Sequence, residues 1–109
     1  MPVLVYMTAE TPEQARAIGD ALIVGRYAAC VNILGSATSV FHWQGRVQEN
    51  EEVALIAKTT EQRLEALVAE VRRIHTYDVP CIVAMPIIGG DNDFLEWIAT
   101  EVTPSTPVK

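Results

Sequence analysis

Two cysteines, two histidines and one internal lysine carry most of the chemistry that this 109-residue chain offers. Thiolate and imidazole are the ligands that suit copper and similar soft ions. Cys30 and Cys81 both fall inside strand-like stretches, where the conservative reading is a pair of buried, unreactive thiols. The sharper reading is soft-metal ligation. Neither has a His or Cys at short ligand spacing, so a site has to be assembled by the fold or by neighbouring chains. Glu52 offers a harder carboxylate donor. His75 falls in the last turn of a helix, where the helix dipole favours it; with Tyr77 it is a candidate ligand or proton carrier at the mouth of a cleft. His42, between Phe41 and Trp43, reads as structural. Lys58 is the only lysine besides Lys109 and sits between apolar neighbours, where a charge needs a partner. Glu52, or an acid from another chain, would give an ion pair; the alternative is an anion site. Trp43 and Trp97 read as core or interface anchors.

The strong catalytic motifs are missing: there is no P-loop, G-x-G-x-x-G, H-E-x-x-H, C-x-x-C or G-x-S-x-G. Asp91-Asn92-Asp93 opens like a calcium loop, but Glu96 and Val102 stand at its sixth and twelfth positions, so a helix cap fits better. No nucleophile–base pair can be read, which points away from an enzyme.

These residues are positioned by a short series of elements. Val3 to Met7 reads as a buried strand. Thr11, Pro12 and Gln14 start a helix whose face is Ala15, Ile18, Leu22 and Gly25, with Gly19 suggesting close packing. Ala28 to Leu34 and Val40 to Val47 are strand-like. The stretch Gly35-Ser36-Ala37-Thr38 between them is a turn or a bend, and the bend is preferred because it keeps the count at four strands. The hairpin is then expected at Gln48 to Glu51, with the third strand running from Glu52 to Thr59. Thr59 or Thr60 caps a helix with the stripe Leu64, Leu67, Val68, Val71 and Ile74. Pro80 to Ile88 is the fourth strand, its prolines at its ends or on an open edge. Asp91 or Asn92 caps a last helix, and Thr103 to Lys109 is an irregular tail after a single domain of residues 1–102.

The order β-α-β-β-α-β plus a helix implies an α+β fold of the split βαβ, ferredoxin-like type, with helices on one face of an antiparallel sheet. Its strands are apolar on both sides, so another copy is expected to cover the bare face. Composition agrees: half the residues are hydrophobic, much for one small domain to bury. A net charge of −6 without a basic stripe argues against nucleic acid and anionic membranes. No signal peptide or apolar run of the ~18 residues a spanning helix needs is visible. Two cysteines without a signal peptide suggest reduced thiols in the cytoplasm.

The sequence resembles the CutA family, the divalent-cation-tolerance proteins, over about Val3 to Val102. The likeness rests on Ala28-Ala29-Cys30-Val31-Asn32-Ile33, Ser39-Val40-Phe41-His42-Trp43-Gln44-Gly45, Glu52-Val53 leading to Lys58-Thr59, His75-Thr76-Tyr77-Asp78-Val79-Pro80 and Phe94-Leu95-Glu96-Trp97-Ile98. It implies a ferredoxin-like fold, a homotrimer similar to the PII signalling proteins, and an association with copper and other divalent cations. By position, Cys30, Trp43, Glu52, Lys58, His75, Tyr77 and Trp97 fall on the family's characteristic sites, several of them lining clefts between subunits. Thr76 and Cys81 depart from the usual Pro and Glu, and Phe41 and Phe94 from frequent tyrosines. The thiol at 81 undermines a carboxylate-based site and makes a soft-metal one more attractive.

The leading expectation is therefore a trimer that binds copper or another divalent ion through Cys30, His75, Cys81 or Glu52, with no organic cofactor. The alternatives are a PII-like sensor holding a small anionic metabolite near Lys58, Tyr77 and Trp43, and a structural trimer that anchors other proteins.

Overall fold

The computed structural model describes residues 1–103. Beyond Thr103 the expected tail lies outside the described residues. The elements are β1 (Pro2–Ala9), α1 (Pro12–Val24), β2 (Cys30–Trp43), β3 (Arg46–Thr60), α2 (Glu61–Ile74), β4 (Ile82–Pro86) and α3 (Asn92–Val102). They form one four-stranded sheet in the order β2-β3-β1-β4, every adjacent pair antiparallel. This is the ferredoxin-like arrangement, with two interleaved βαβ crossovers.

Alternation along the strands decides the two faces. Val3, Val5, Met7 and Ala9 of β1, with Val53, Leu55 and Ala57 of β3, are buried beneath Ala15, Ile18 and Leu22 of α1 and Leu67 and Val71 of α2. The α1 start is as the sequence dictates: Thr11 Oγ1 accepts the Gln14 amide at 3.1 Å behind Pro12. Arg26, at φ 59°, ends the turn. Gly19 is buried against Val31, yet an added Cβ would meet Val31 Cγ1 at an ordinary 3.5 Å, so the packing there does not demand glycine. At α2 the capping position is Thr60, but its side chain makes no capping bond. Thr59 instead donates to the Tyr27 carbonyl at 2.7 Å.

Gly35 bends β2 without ending it. Its φ of +113° accompanies a register shift between Ile33 and Gly35, and the strand runs on to Trp43. The hairpin is not at Gln48–Glu51. It turns at Gln44-Gly45, where both residues have positive φ (53° and 79°), the two-residue geometry that matches strand twist. The polar run Gln48 to Glu51 is strand because it lies on an arm beyond the helices, where neither face has to be apolar. That arm stretches the molecule to 54 × 31 × 22 Å.

The three helices do not share one face. Ile98 and Val102 of α3 are buried apart from the α1–α2 core, and Phe94 brings its ring to 5.9 Å from Lys58 Nζ on the opposite face. One end of that face is thus covered by α3. Thr8, Glu52 and Ala54 on that face are buried too, while its β4 edge is open, with Val83 and Met85 about half exposed opposite Tyr6 and Leu4. Asp91 caps α3 as expected, accepting the Phe94 amide at 2.9 Å.

Candidate functional site

The open face forms a cleft of ≈ 680 Å³ where the arm leaves the body of the sheet. Tyr6 and Thr8 of β1, Ser39, Phe41 and Trp43 of β2, and Gln48, Asn50 and Glu52 of β3 line it. They are alternate residues on one side of three paired strands. The segment Thr76–Cys81, between α2 and β4, closes one side.

That segment is tied down at several points. His75 stands just past the last turn of α2, as its C-cap. Its Nε2 lies 2.8 Å from the Thr8 carbonyl, and its Nδ1 lies 3.0 Å from the Tyr77 amide. The amide can only donate and the carbonyl only accept, so the proton belongs on Nε2 and both ring nitrogens are engaged. Thr76 Oγ1 donates to Glu10 Oε1 at 2.9 Å, and Arg72 reaches the Asp78 carbonyl at 3.2 Å. The Tyr77 ring packs on His75 with centroids 4.8 Å apart.

Glu52 is the electrostatic centre. It is only 8% exposed, and among the described residues no lysine, arginine or histidine pairs with it. Burial, then a hydrogen bond to the Glu52 carboxylate and its charge, with a smaller push from Glu10, raises the Tyr77 hydroxyl to about 12. Cys81 is exposed just ahead of β4, and Cys30 is half-buried, so neither is the buried thiol expected; partial desolvation and the Glu52 charge nonetheless push the Cys81 thiol up. Both groups hold their protons at neutral pH. Of the cleft-lining residues only Glu52 and Asp78 are charged there, and both are acids.

A second cluster lies further along the sheet. Lys58 Nζ is 2.5 Å from Asn32 Oδ1 and 3.8 Å from Cys30 Sγ, beneath the Phe94 ring, which packs on Trp97 at 5.5 Å. Glu52 is therefore not the partner of Lys58. It stands six residues away along β3, about 20 Å at ~3.3 Å per residue.

The sequence profile of the CutA1 divalent ion tolerance proteins matches residues 3–101. The chain belongs to the CutA family. It is 43% identical over 98 residues to the divalent-cation tolerance protein CutA of Thermus thermophilus, covering 90% of this chain and 95% of that one. The solved Thermus thermophilus structure superposes with a TM-score of 0.91 at 42% identity, over 93% of this chain and 98% of that chain. The Archaeoglobus fulgidus CutA structure gives 0.92 at 38% identity, over 94% and 100%. CutA1 of Oryza sativa gives 0.91 at 39% identity, over 95% of each chain.

For this CutA-family chain the family name raises the question of a divalent ion. Of the sequence candidates, the fold brings Glu52, Tyr77, Cys81 and Trp43 to the cleft, with His75 behind Tyr77. Cys30, Lys58 and Trp97 belong to the other cluster. No three His, Cys, Asp or Glu side chains among the described residues converge as a metal-binding group. One chain thus offers two neighbouring donors, the Glu52 carboxylate and the Cys81 thiol, and an ion held there needs water or a second chain to complete its shell. Tyr6, Thr8, Phe41, Gln48, Asn50 and Asp78 were not among the sequence candidates. The every-other-residue series Gln48, Asn50, Glu52 signals the two from β3 once the strand is extended to Arg46.

Proposed function

We propose that this CutA-family protein is a cytoplasmic homotrimer that binds a divalent ion, copper or another, in response to metal, and that the cleft is where the ion enters. The observation that carries this is Glu52: a buried carboxylate without a counter-charge among the described residues, beside the Cys81 thiol and the Tyr77 hydroxyl. A buried charge is costly unless paired or bound to a metal, so a cation relieves it. Carboxylate and thiolate together suit a borderline ion better than calcium or magnesium. The trimer is supported by the apolar surface left on the same sheet face, where Trp43 is 46%, Val83 52% and Met85 48% exposed. A neighbouring chain laid there would also supply the missing ligands. A small anion is disfavoured in this cleft, because Lys58 lies in the other cluster.

Titrating copper and zinc into the purified chain tests the reading. Affinity is expected to fall at least tenfold in Glu52→Gln and in Cys81→Ser, and to tighten as pH rises, because the thiol proton has to leave. Unchanged affinity in both variants would remove the cleft from consideration. Loss of binding in Cys30→Ser alone would move the site to the other cluster. Light scattering at low micromolar concentration tests the assembly; a particle of 12.0 kDa would exclude the trimer.

A further inference from the structure

We propose that Cys30 and Lys58 form a peroxide-responsive modification site, in which the lysine amine captures the oxidised sulfur as a reversible S–N cross-link between β2 and β3. The inference is separate from the metal reading, which draws on Glu52 and Cys81.

Register brings the pair together. Cys30 is the direct cross-strand partner of Lys58, and the Ala29 amide donates to the Lys58 carbonyl at 2.9 Å. Both side chains lie on one side of the sheet, with Nζ 3.8 Å from Sγ. Asn32 Oδ1 accepts from both, 2.5 Å from Nζ and 3.6 Å from Sγ. The ring over Lys58, Phe94 of α3, belongs to the same chain, so the pair is complete without a neighbour. No carboxylate pairs with Lys58 among the described residues, which leaves its amine held by a neutral amide and a ring. Both residues are half-buried, open enough for a reagent as small as hydrogen peroxide.

The chemistry follows in two steps. The Cys30 sulfur attacks hydrogen peroxide and the O–O bond breaks. One oxygen stays on sulfur as the sulfenic acid, and the other leaves as water with the thiol proton; sulfur is oxidised and peroxide reduced. A sulfenic acid then condenses with a thiol or a nitrogen within reach. Cys81 is not within reach. It precedes β4, three strand spacings from β2, about 14 Å at ~4.8 Å each, whereas a disulfide needs Cα atoms within about 7 Å. Lys58 is. Its ammonium gives one proton to solvent, the nitrogen lone pair forms the S–N bond, and the sulfenic hydroxyl leaves with a second amine proton as water. Two molecules of a reducing thiol restore both side chains and become a disulfide.

The test is peroxide treatment of the full chain in buffer with EDTA, followed by tryptic digestion and mass spectrometry. The expected product joins Tyr27–Arg46 to Val47–Arg63, uncut at Lys58. Its mass is expected ~2 Da below the sum of the two peptides, and dithiothreitol is expected to abolish it. Lys58→Arg is expected to lose the cross-link and to leave the sulfenic acid exposed to dimedone, with several-fold more label on Cys30 than in the unsubstituted chain. Three results would overturn the proposal: a Cys30 that peroxide leaves unchanged, a Cys30 driven to sulfinic or sulfonic acid while trypsin still cuts at Lys58, or a disulfide through Cys30. The unsubstituted chain alone decides among them, so the outcome does not hang on the folding of a variant. Because EDTA removes metal, failure here leaves the metal reading intact.

Discussion

The two halves of β3 make the same hydrogen-bonded ladder with β2, yet they live in different surroundings. From Glu52 to Thr60 the strand is almost wholly covered, and Leu55, Ala57 and Thr59 have no exposure at all. From Arg46 to Glu51 it is nearly bare, with Val47 66% exposed and Val40, across the arm, 64%. A ladder alone therefore does not make a core. What differs is whether a second layer lies on the strand, and the boundary between the two regimes falls at Glu52. The cleft forms there because the body of the sheet fixes one wall while the arm carries the other out into the open.

Substitutions in each half test that contrast. Leu55→Ala, in the covered half, is expected to destabilise by about 2–5 kcal/mol in chemical denaturation, through lost burial and a residual cavity. Gly45→Val, at the arm's turn, is expected to cost roughly 1–2 kcal/mol because its φ of +79° strains a side chain, although the space around it is open. Hydrogen exchange should place that loss in the arm, leaving β1 protected. At the boundary, the Tyr77 hydroxyl is raised from 10.0 to about 12, so the folded state holds the proton more tightly than the unfolded chain. The corresponding stability is fully present below pH ~10 and lost as pH climbs through 12. Melting curves over that range should slope downward, less steeply in Tyr77→Phe. Smallest of all, Val47→Thr is expected to change the stability of an isolated chain by no more than about 0.5 kcal/mol. A loss of several kcal/mol in the native assembly would show that another chain covers the arm.

The same contrast explains what the sequence disclosed. Element types and order were legible because α1, α2 and the covered strand halves obey burial periodicity: Leu67 and Val71 fall on the expected stripe, and Val53, Leu55 and Ala57 alternate. The hairpin was not, because periodicity records burial and the arm has little. Gln48-Glu49-Asn50-Glu51 is as polar as a loop while being strand, and the better signal was Gly45. Of the site, Glu52, Tyr77, Cys81 and Trp43 were legible as chemistry. Their separation from Lys58 and Cys30 was not, since it depends on which face and which end of one sheet each occupies. Lys58 found a neutral amide, Asn32, on the neighbouring strand, a partner that a search among carboxylates misses.

β1 lies between β3 and β4, so the middle of the sheet leaves the ribosome before either flanking strand. It must wait for residues 53–60 to emerge before any of its register with β3 can form, and for residues 82–86 before its other edge is satisfied. Folding of β1 is thus governed by partners distant in sequence that are synthesised well after it. Until then Val3, Val5 and Met7 of β1, all buried in the folded chain, stay in water, the condition under which incomplete chains aggregate.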